Sequence, residues 1–245
     1  CILMKNISPN FKKWKIGTTV EQRAIECHVL AHPNTALPDV LAKLSQPTVL
    51  ILGGVHADEV EGVWIVEAAL AQWRSHFSFG EEIILAVVPC LNLDGYIRKA
   101  RQNAHGVDLN RNLPTLDFNP VAQNPRYQPG PFAASEPETQ SLVQLIEVIA
   151  PIAILSAHSF SKVQVNANGP SRSWAVALAQ VCGYPVTDDI GYPTPGSLGT
   201  YSGKERGIPT ITLEIERGLT KDKVLQCHLP TLNAAVEYWI GKVPS

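Results

Sequence analysis

The chain has 245 residues, 45% hydrophobic and 17% charged, and its 20 Lys+Arg against 22 Asp+Glu leave a formal net charge of −2. A chain this long buries roughly three-quarters of its unfolded surface as one domain, which excludes a largely disordered architecture, and so balanced a charge gives no general electrostatic case for nucleic acid or anionic membranes. Cys1, Cys27, Cys90, Cys182 and Cys227 are odd in number and contain no CxxC pair, so neither a disulfide framework nor a thiolate metal cage is expected, and a reducing cytoplasm is the default compartment.

No apolar run approaches the roughly 18 residues of a membrane span. The opening Cys1-Ile2-Leu3-Met4-Lys5 lacks the basic segment and long apolar stretch of a secretory signal. Residues 14–31 read as one or two strands around a turn at Gly17. Thr48-Val49-Leu50-Ile51-Leu52 is a continuous β-rich run ending at Gly53-Gly54, the pattern of a strand buried on both faces. Residues 58–77 then carry apolar side chains at helical spacing, and 83–89 repeat the buried-strand pattern. Residues 92–126 are polar, rich in Asn, Arg and Pro, and read as a long functional loop.

Ser135-Glu136-Pro137-Glu138 predicts a helix start with Ser135 as the N-cap. A strand over 152–157, a helix over 171–181, a strand over 208–215 and a helix over 221–240, interrupted or kinked at Pro230, complete the pattern. Strands alternating with helices predict an α/β fold: one domain over residues 1–245, with a mixed, mostly parallel twisted sheet and helices on both faces. In such sheets ligands sit outside the carboxyl ends of the strands.

Three clusters of reactive residues fall there. In Gly53-Gly54-Val55-His56-Ala57-Asp58-Glu59, imidazole and carboxylate three residues apart meet on one side of a turn and suit zinc, although an isolated HxxE equally fits a helix N-terminus carrying acids and an incidental His. A catalytic zinc needs a third protein ligand, and His158, just past a buried strand, is the candidate. The second cluster, Arg98 to Asn112, holds Arg101 and Asn110-Arg111, whose planar forks and amide suit a carboxylate and a polarised carbonyl. Asp108 is placed to orient a metal-bound His, while a solvated basic loop is the plainer account of the charges. Third, Glu214 and Glu216 share one face of a strand, and a Glu beside an activated water is the usual general base for metal-assisted hydrolysis. Tyr192, in a Gly/Pro-rich turn, is a loop anchor or a substrate contact. His105, Asp58 and Glu61 are near enough in sequence to raise a second metal, with solvated loop residues the simpler reading.

The order His56-x-x-Glu59, Asn92-x-Asp94-Gly95, Arg101 nine residues before Asn110-Arg111, His158-Ser159-Phe160-Ser161, Tyr192 and Glu214 resembles the zinc metallocarboxypeptidase family of carboxypeptidase A. The resemblance implies one zinc held by His56, Glu59 and His158. It implies Glu214 as general base and proton shuttle, Arg101 on the oxyanion, and Asn110 and Arg111 on the substrate's terminal carboxylate. Tyr192 would close over the substrate, Asp108 would orient His56, and the Ser159-Phe160 bond would be cis. Arg98 competes with Arg101, and Glu216 with Glu214; spacing favours Arg101 and Glu214.

Leu93 replaces the Pro of the family's Asn-Pro-Asp-Gly motif. The runs Arg101-x-Asn103-Ala104-x-Gly106-Val107-Asp108-Leu109-Asn110-Arg111-Asn112, Ser135-Glu136-Pro137-Glu138-Thr139 and Thr194-Pro195-Gly196-Ser197 are similar to the compact bacterial murein tripeptide amidase branch. That likeness implies hydrolysis of the γ-D-glutamyl-diaminopimelate bond of murein peptides, a small peptide partner with a free carboxylate. The alternatives are a deacylase of N-acyl amino acids, of the aspartoacylase and succinylglutamate desuccinylase type, and a peptide-binding protein without turnover.

Overall fold

The computed structural model describes residues 8–77, 79–122 and 124–242; Cys1 and the opening segment read for a targeting signal lie outside them. In chain order the elements are β1 (Asn10–Thr18), β2 (Ala24–Ala31), β3 (Thr48–Leu52), α1 (Val60–Ser75), β4 (Ile84–Val88), α2 (Leu93–Arg98), α3 (Pro137–Ile149), β5 (Ala153–Phe160), β6 (Gln164–Asn168), α4 (Arg172–Cys182), β7 (Val186–Thr187), β8 (Thr210–Glu216) and α5 (Lys221–Glu237).

The fully apolar runs become the middle of one eight-stranded sheet, ordered β1-β2-β4-β3-β5-β8-β6-β7. The central four strands are parallel; β2 meets β4, and β6 meets β8, antiparallel. Alternation along each strand divides the core. Val49, Ile51, Leu85 and Val87 face α1, α4 and α5, where Trp73 and Trp174 are buried, while Leu50, Leu52, Ala86 and Val88 face α3 with Trp14 and Tyr201. Both faces are covered by helices, as a strand without polar alternation requires. Trp73 Nε1 donates to Asn233 Oδ1 at 2.8 Å and ties α1 to α5. No helix among the described residues is long and apolar enough to cross a membrane.

Several local expectations are corrected by tertiary contacts. The first hairpin turns at Thr19–Arg23, where Gln22 has φ 64°, whereas Gly17 lies within β1 at a bulge. The polar stretch after β4 contains α2, capped by Asn92 Oδ1 accepting from Gly95 N at 3.0 Å. The N-cap of α3 is Glu136, not Ser135, whose hydroxyl instead donates to Glu136 Oε1 at 2.7 Å. Glu136 and Glu138 both accept from Asn103 Nδ2, so these acids are drawn into a buried cluster with the polar loop instead of a capping box. α5 continues through Pro230 and stops at Glu237. β6 and β7 carry no apolar run; Asn166 and Asn168 of β6 line the cleft described next.

Candidate metal centre and substrate cleft

β3 delivers the chain to Gly53-Gly54 at its carboxyl end, and Gly54, at φ +63°, turns it away from the sheet where a Cβ would lie 2.7 Å from Cys90 Sγ. α1 then starts so close to β5 that a Cβ on Gly62 would be 2.3 Å from the Ala157 carbonyl. This approach carries Glu59, just ahead of α1, to His158. Glu59 Oε2 lies 2.8 Å from His158 Nδ1 and accepts from Ser159 N at 3.3 Å, while Oε1 lies 3.0 Å from His56 Nδ1. The two Nδ1 atoms are 3.0 Å apart.

His56, Glu59 and His158 are buried and offer donor atoms all within 4.8 Å of one another, the one such group among the described residues. The opposite edge of each ring is held. His56 Nε2 donates to Asp108 Oδ1 at 3.0 Å, and His158 Nε2 shares a hydrogen bond with Ser156 Oγ at 2.9 Å. Asp108 can only accept, so with a cation on Nδ1 the His56 proton sits on Nε2. Two imidazole nitrogens and a carboxylate fit one zinc ion with a position left for water.

Electrostatics bind the group together. Burial opposes ionisation of Glu59, yet His56 and His158 hold its carboxyl well below the ordinary range. Burial likewise opposes Asp108, which His56 and Arg101 keep ionised. Arg101 reaches between them: Nε donates to Asp108 Oδ2 at 3.0 Å and Nη1 to Glu59 Oε1 at 2.9 Å. Glu214 behaves oppositely. Burial pushes its carboxyl up to about 7, with Glu59 acting in the same direction and His158 and Arg101 against it. A bound dication would pull that value down again.

The cleft over this group has about 670 Å³ of free space and collects His56, Glu59, Arg101, Asn110, Arg111, Tyr192 and Glu214. The two ambiguities close on geometry. Arg98 turns outward to pair with Glu21, so of the two it is Arg101 that enters the cleft. Glu216 is exposed where Glu214 is buried opposite His158 in the β5/β8 register. The Ser159-Phe160 bond is trans, as are all peptide bonds among the described residues, and β5 stays paired with β8 through Phe160 opposite Glu216. His105, Asp58 and Glu61 do not converge: they bind Glu136, the pair Arg126 and Arg217, and Ser159 with Gly218, respectively.

Asn110 Oδ1 accepts from Leu198 N at 2.8 Å, and Arg111 Nη1 donates to the Asn110 carbonyl at 2.7 Å, so the two sit where the 109–113 turn packs on the segment leading into the π-helical turn Gly199–Lys204. Tyr192 stacks on Tyr127 with ring centroids 6.0 Å apart, and the Arg111 guanidinium lies 5.2 Å from the Tyr127 ring. Beyond β8 the wall is neutral and polar: Asn166, Asn168, Thr194, Ser197 and Thr212. The sequence reading missed Tyr127, Arg126, Arg217 and the β6 amides, none of which stands in a motif; Arg217 directly after Glu216 was the nearest signal.

These features define a zinc hydrolase built on an α/β sheet, and the family model described as "Zinc carboxypeptidase" matches residues 3–181: the chain belongs to that family. The matched stretch contains His56, Glu59, Arg101, Asn110, Arg111 and His158 and ends before Tyr192 and Glu214. Among individual proteins the chain is similar to "Murein peptide amidase A" of Escherichia coli strain K12, 34% identical over 186 residues covering 69% of this chain and 72% of the relative. It is 30% identical to the protein of that name from Vibrio campbellii, over 77% of each. The crystal structure of murein-tripeptide amidase from Escherichia coli O157 superposes over 100% of this chain and 98% of its own, with TM-score 0.72 and 26% identity. Carboxypeptidase A from Helicoverpa armigera shares the fold, with TM-score 0.73 at 18% identity over 94% of this chain and 69% of its own.

Proposed function

We propose that this chain acts as one catalytic domain that removes diaminopimelate from murein peptides by hydrolysing the γ-D-glutamyl-diaminopimelate bond. The observation that carries the reading is the placement of a buried His56-Glu59-His158 group in one cleft with a carboxylate of raised affinity for protons, Glu214, and an Asn110-Arg111 pair. The murein peptide amidases similar to this chain support the choice of substrate. The four free cysteines Cys27, Cys90, Cys182 and Cys227 accord with a reducing cytoplasm.

His56 Nδ1, Glu59 and His158 Nδ1 would hold the zinc, which would supply Lewis-acid chemistry and lower the pKa of a water at the site. Glu214 takes the proton of the attacking water and returns it to the leaving amine. Arg101 presents a guanidinium N–H to the oxyanion. Asn110 and Arg111 hold the carboxylate of the leaving residue, and Tyr127 and Tyr192 form the wall that excludes water. Asp108 keeps His56 in the tautomer that binds a cation, and Ser156 Oγ holds the far edge of the His158 ring.

The test is product analysis by mass spectrometry after incubating zinc-loaded protein with a tripeptide ending in γ-D-Glu-diaminopimelate, with ordinary C-terminal peptides and with N-acyl amino acids. Release of diaminopimelate that a chelator abolishes and zinc restores is the expected result. Turnover of N-acyl amino acids alone would move the chain to deacylation.

A further inference from the structure

Four guanidiniums line the cleft, those of Arg101, Arg111, Arg126 and Arg217. The proposed reaction employs the first two. The other two meet at the cleft mouth on a single carboxylate: Arg217 Nη2 donates to Asp58 Oδ2 at 2.7 Å and to the Asp58 carbonyl at 3.0 Å, and Arg126 Nη2 donates to the same Oδ2 at 3.3 Å. Two guanidiniums share this one carboxylate, while Glu59 and Glu61 act on Arg217 only through their charge and make no bond to it. The Nε and Nη1 donors of both side chains make no hydrogen bond among the described residues, and both guanidiniums are about 40% exposed (45% and 36%). As a stabilising device the arrangement is weak, since exposed ion pairs contribute about 0–1 kcal/mol.

Its position in the sheet gives it a direction. The order β3-β5-β8-β6 places Asp58 at the β3 end, next to Glu59, and the Asn166/Asn168 wall on β6 at the far side of Glu214. Asn110 and Arg111 pack against Leu198, on that far side. Arg217 follows β8 and is fixed to β5 by its N–H donating to the Phe160 carbonyl at 3.3 Å. A peptide whose terminal carboxylate lies on Asn110 and Arg111 therefore directs its acyl half across the metal group toward Arg126 and Arg217.

Resting on the proposed reaction, we infer that Arg126 and Arg217 form a second carboxylate subsite, which selects substrates carrying a free carboxylate on the acyl side of the scissile bond. A γ-linked glutamyl group has such a carboxylate on its α-carbon; an ordinary α-linked peptide has a backbone amide there. Asp58 pre-orients the two forks and leaves their outer N–H donors for the ligand, the bidentate chemistry that guanidinium provides and ammonium does not. The cleft then recognises two carboxylates, one on each side of the bond it breaks.

The test uses zinc-loaded protein and two tripeptides that differ in one group, L-Ala-γ-D-Glu-diaminopimelate and the same peptide with the glutamyl α-carboxylate converted to the amide. The readout is the ratio of their kcat/KM values. Wild type is expected to favour the carboxylate by about ten- to hundredfold, the range of one or two charge-assisted bonds. In Arg217→Gln the ratio falls toward 1, in Arg126→Gln it falls by a smaller factor, and in Arg217→Lys it is partly restored. A purely structural role for either arginine would lower both substrates together and leave the ratio unmoved, which would overturn the inference. So would a wild-type ratio near 1 with both peptides cleaved, leaving the murein reading intact. Failure of wild type to cleave either peptide would overturn that reading and the inference with it.

Discussion

His158 and Glu214 stand side by side on β5 and β8, paired in register and buried, whereas Tyr127 and Tyr192 reach the same cleft from two loops 65 residues apart and meet through a stacked ring pair. The strand ends hold their groups through the hydrogen-bonded ladder and the packed layers on both faces, so a displacement there disturbs the core. The loop walls hold theirs through single contacts such as Leu198 N to Asn110 Oδ1 and the guanidinium of Arg111 against Tyr127. In the proposed reaction, bond breaking falls to groups the sheet positions rigidly, and substrate choice to loops that change without cost to the fold.

Substitutions on the two sides should differ in kind. On the strand side, Glu214→Gln is expected to bind zinc and fold normally while kcat falls by about a thousandfold or more, measured by metal analysis and turnover. In the proposed reaction ionised Glu214 is the active form, so the rate of wild type is expected to rise with pH through the Glu214 pKa. That value is about 7 without metal and moves lower when zinc contributes its charge. The acid limb of kcat/KM should therefore lie below pH 7, and a carboxyl titration followed by NMR should shift downward on adding zinc. A limb at or above 7 would give the titration to another group.

Asp108→Asn comes next. It replaces an acceptor-only carboxylate with an amide that can also donate, so the His56 tautomer is no longer fixed, and zinc affinity should fall by about 10- to 100-fold in a chelator competition. On the loop side, Arg111→Gln is expected to raise KM by about tenfold while kcat changes little, since the residue holds the carboxylate in ground and transition states alike. Tyr127→Leu, which loses only the ring stack and the guanidinium contact, should raise KM less than tenfold and leave the thermal midpoint near wild type. Equal loss of kcat in the last two variants would erase the contrast between strand ends and loops.

Much of this was legible locally. The runs Thr48-Leu52 and 83–89 could only be strands buried on both faces, and His56-x-x-Glu59 followed by His158 carried its chemistry in residue type and spacing. The structure resolved what spacing left open by burial and direction: Arg98 faces solvent and Arg101 faces Glu59; Glu216 is exposed and Glu214 is buried. The sequence reading passed over α2 although its cap, Asn92 Oδ1 accepting from Gly95 N, is local; the N-cap of α3 differs because Glu136 and Glu138 are drawn to Asn103, 33 and 35 positions earlier in the polar loop, a contact that no local pattern encodes.

The amino-acid sequence by itself determined the sheet's central strands, the class of chemistry and the metal-ligand residue types, because periodicity and donor character are properties of short segments. Tertiary structure decided which acid and which arginine enter the cleft, that Asp58 gathers Arg126 and Arg217 while His105 and Glu61 go elsewhere, and that Tyr127 meets Tyr192. Those outcomes depend on strand order and on the close passage of Gly62 over Ala157, contacts between residues about a hundred positions apart that exist only once the layers are packed.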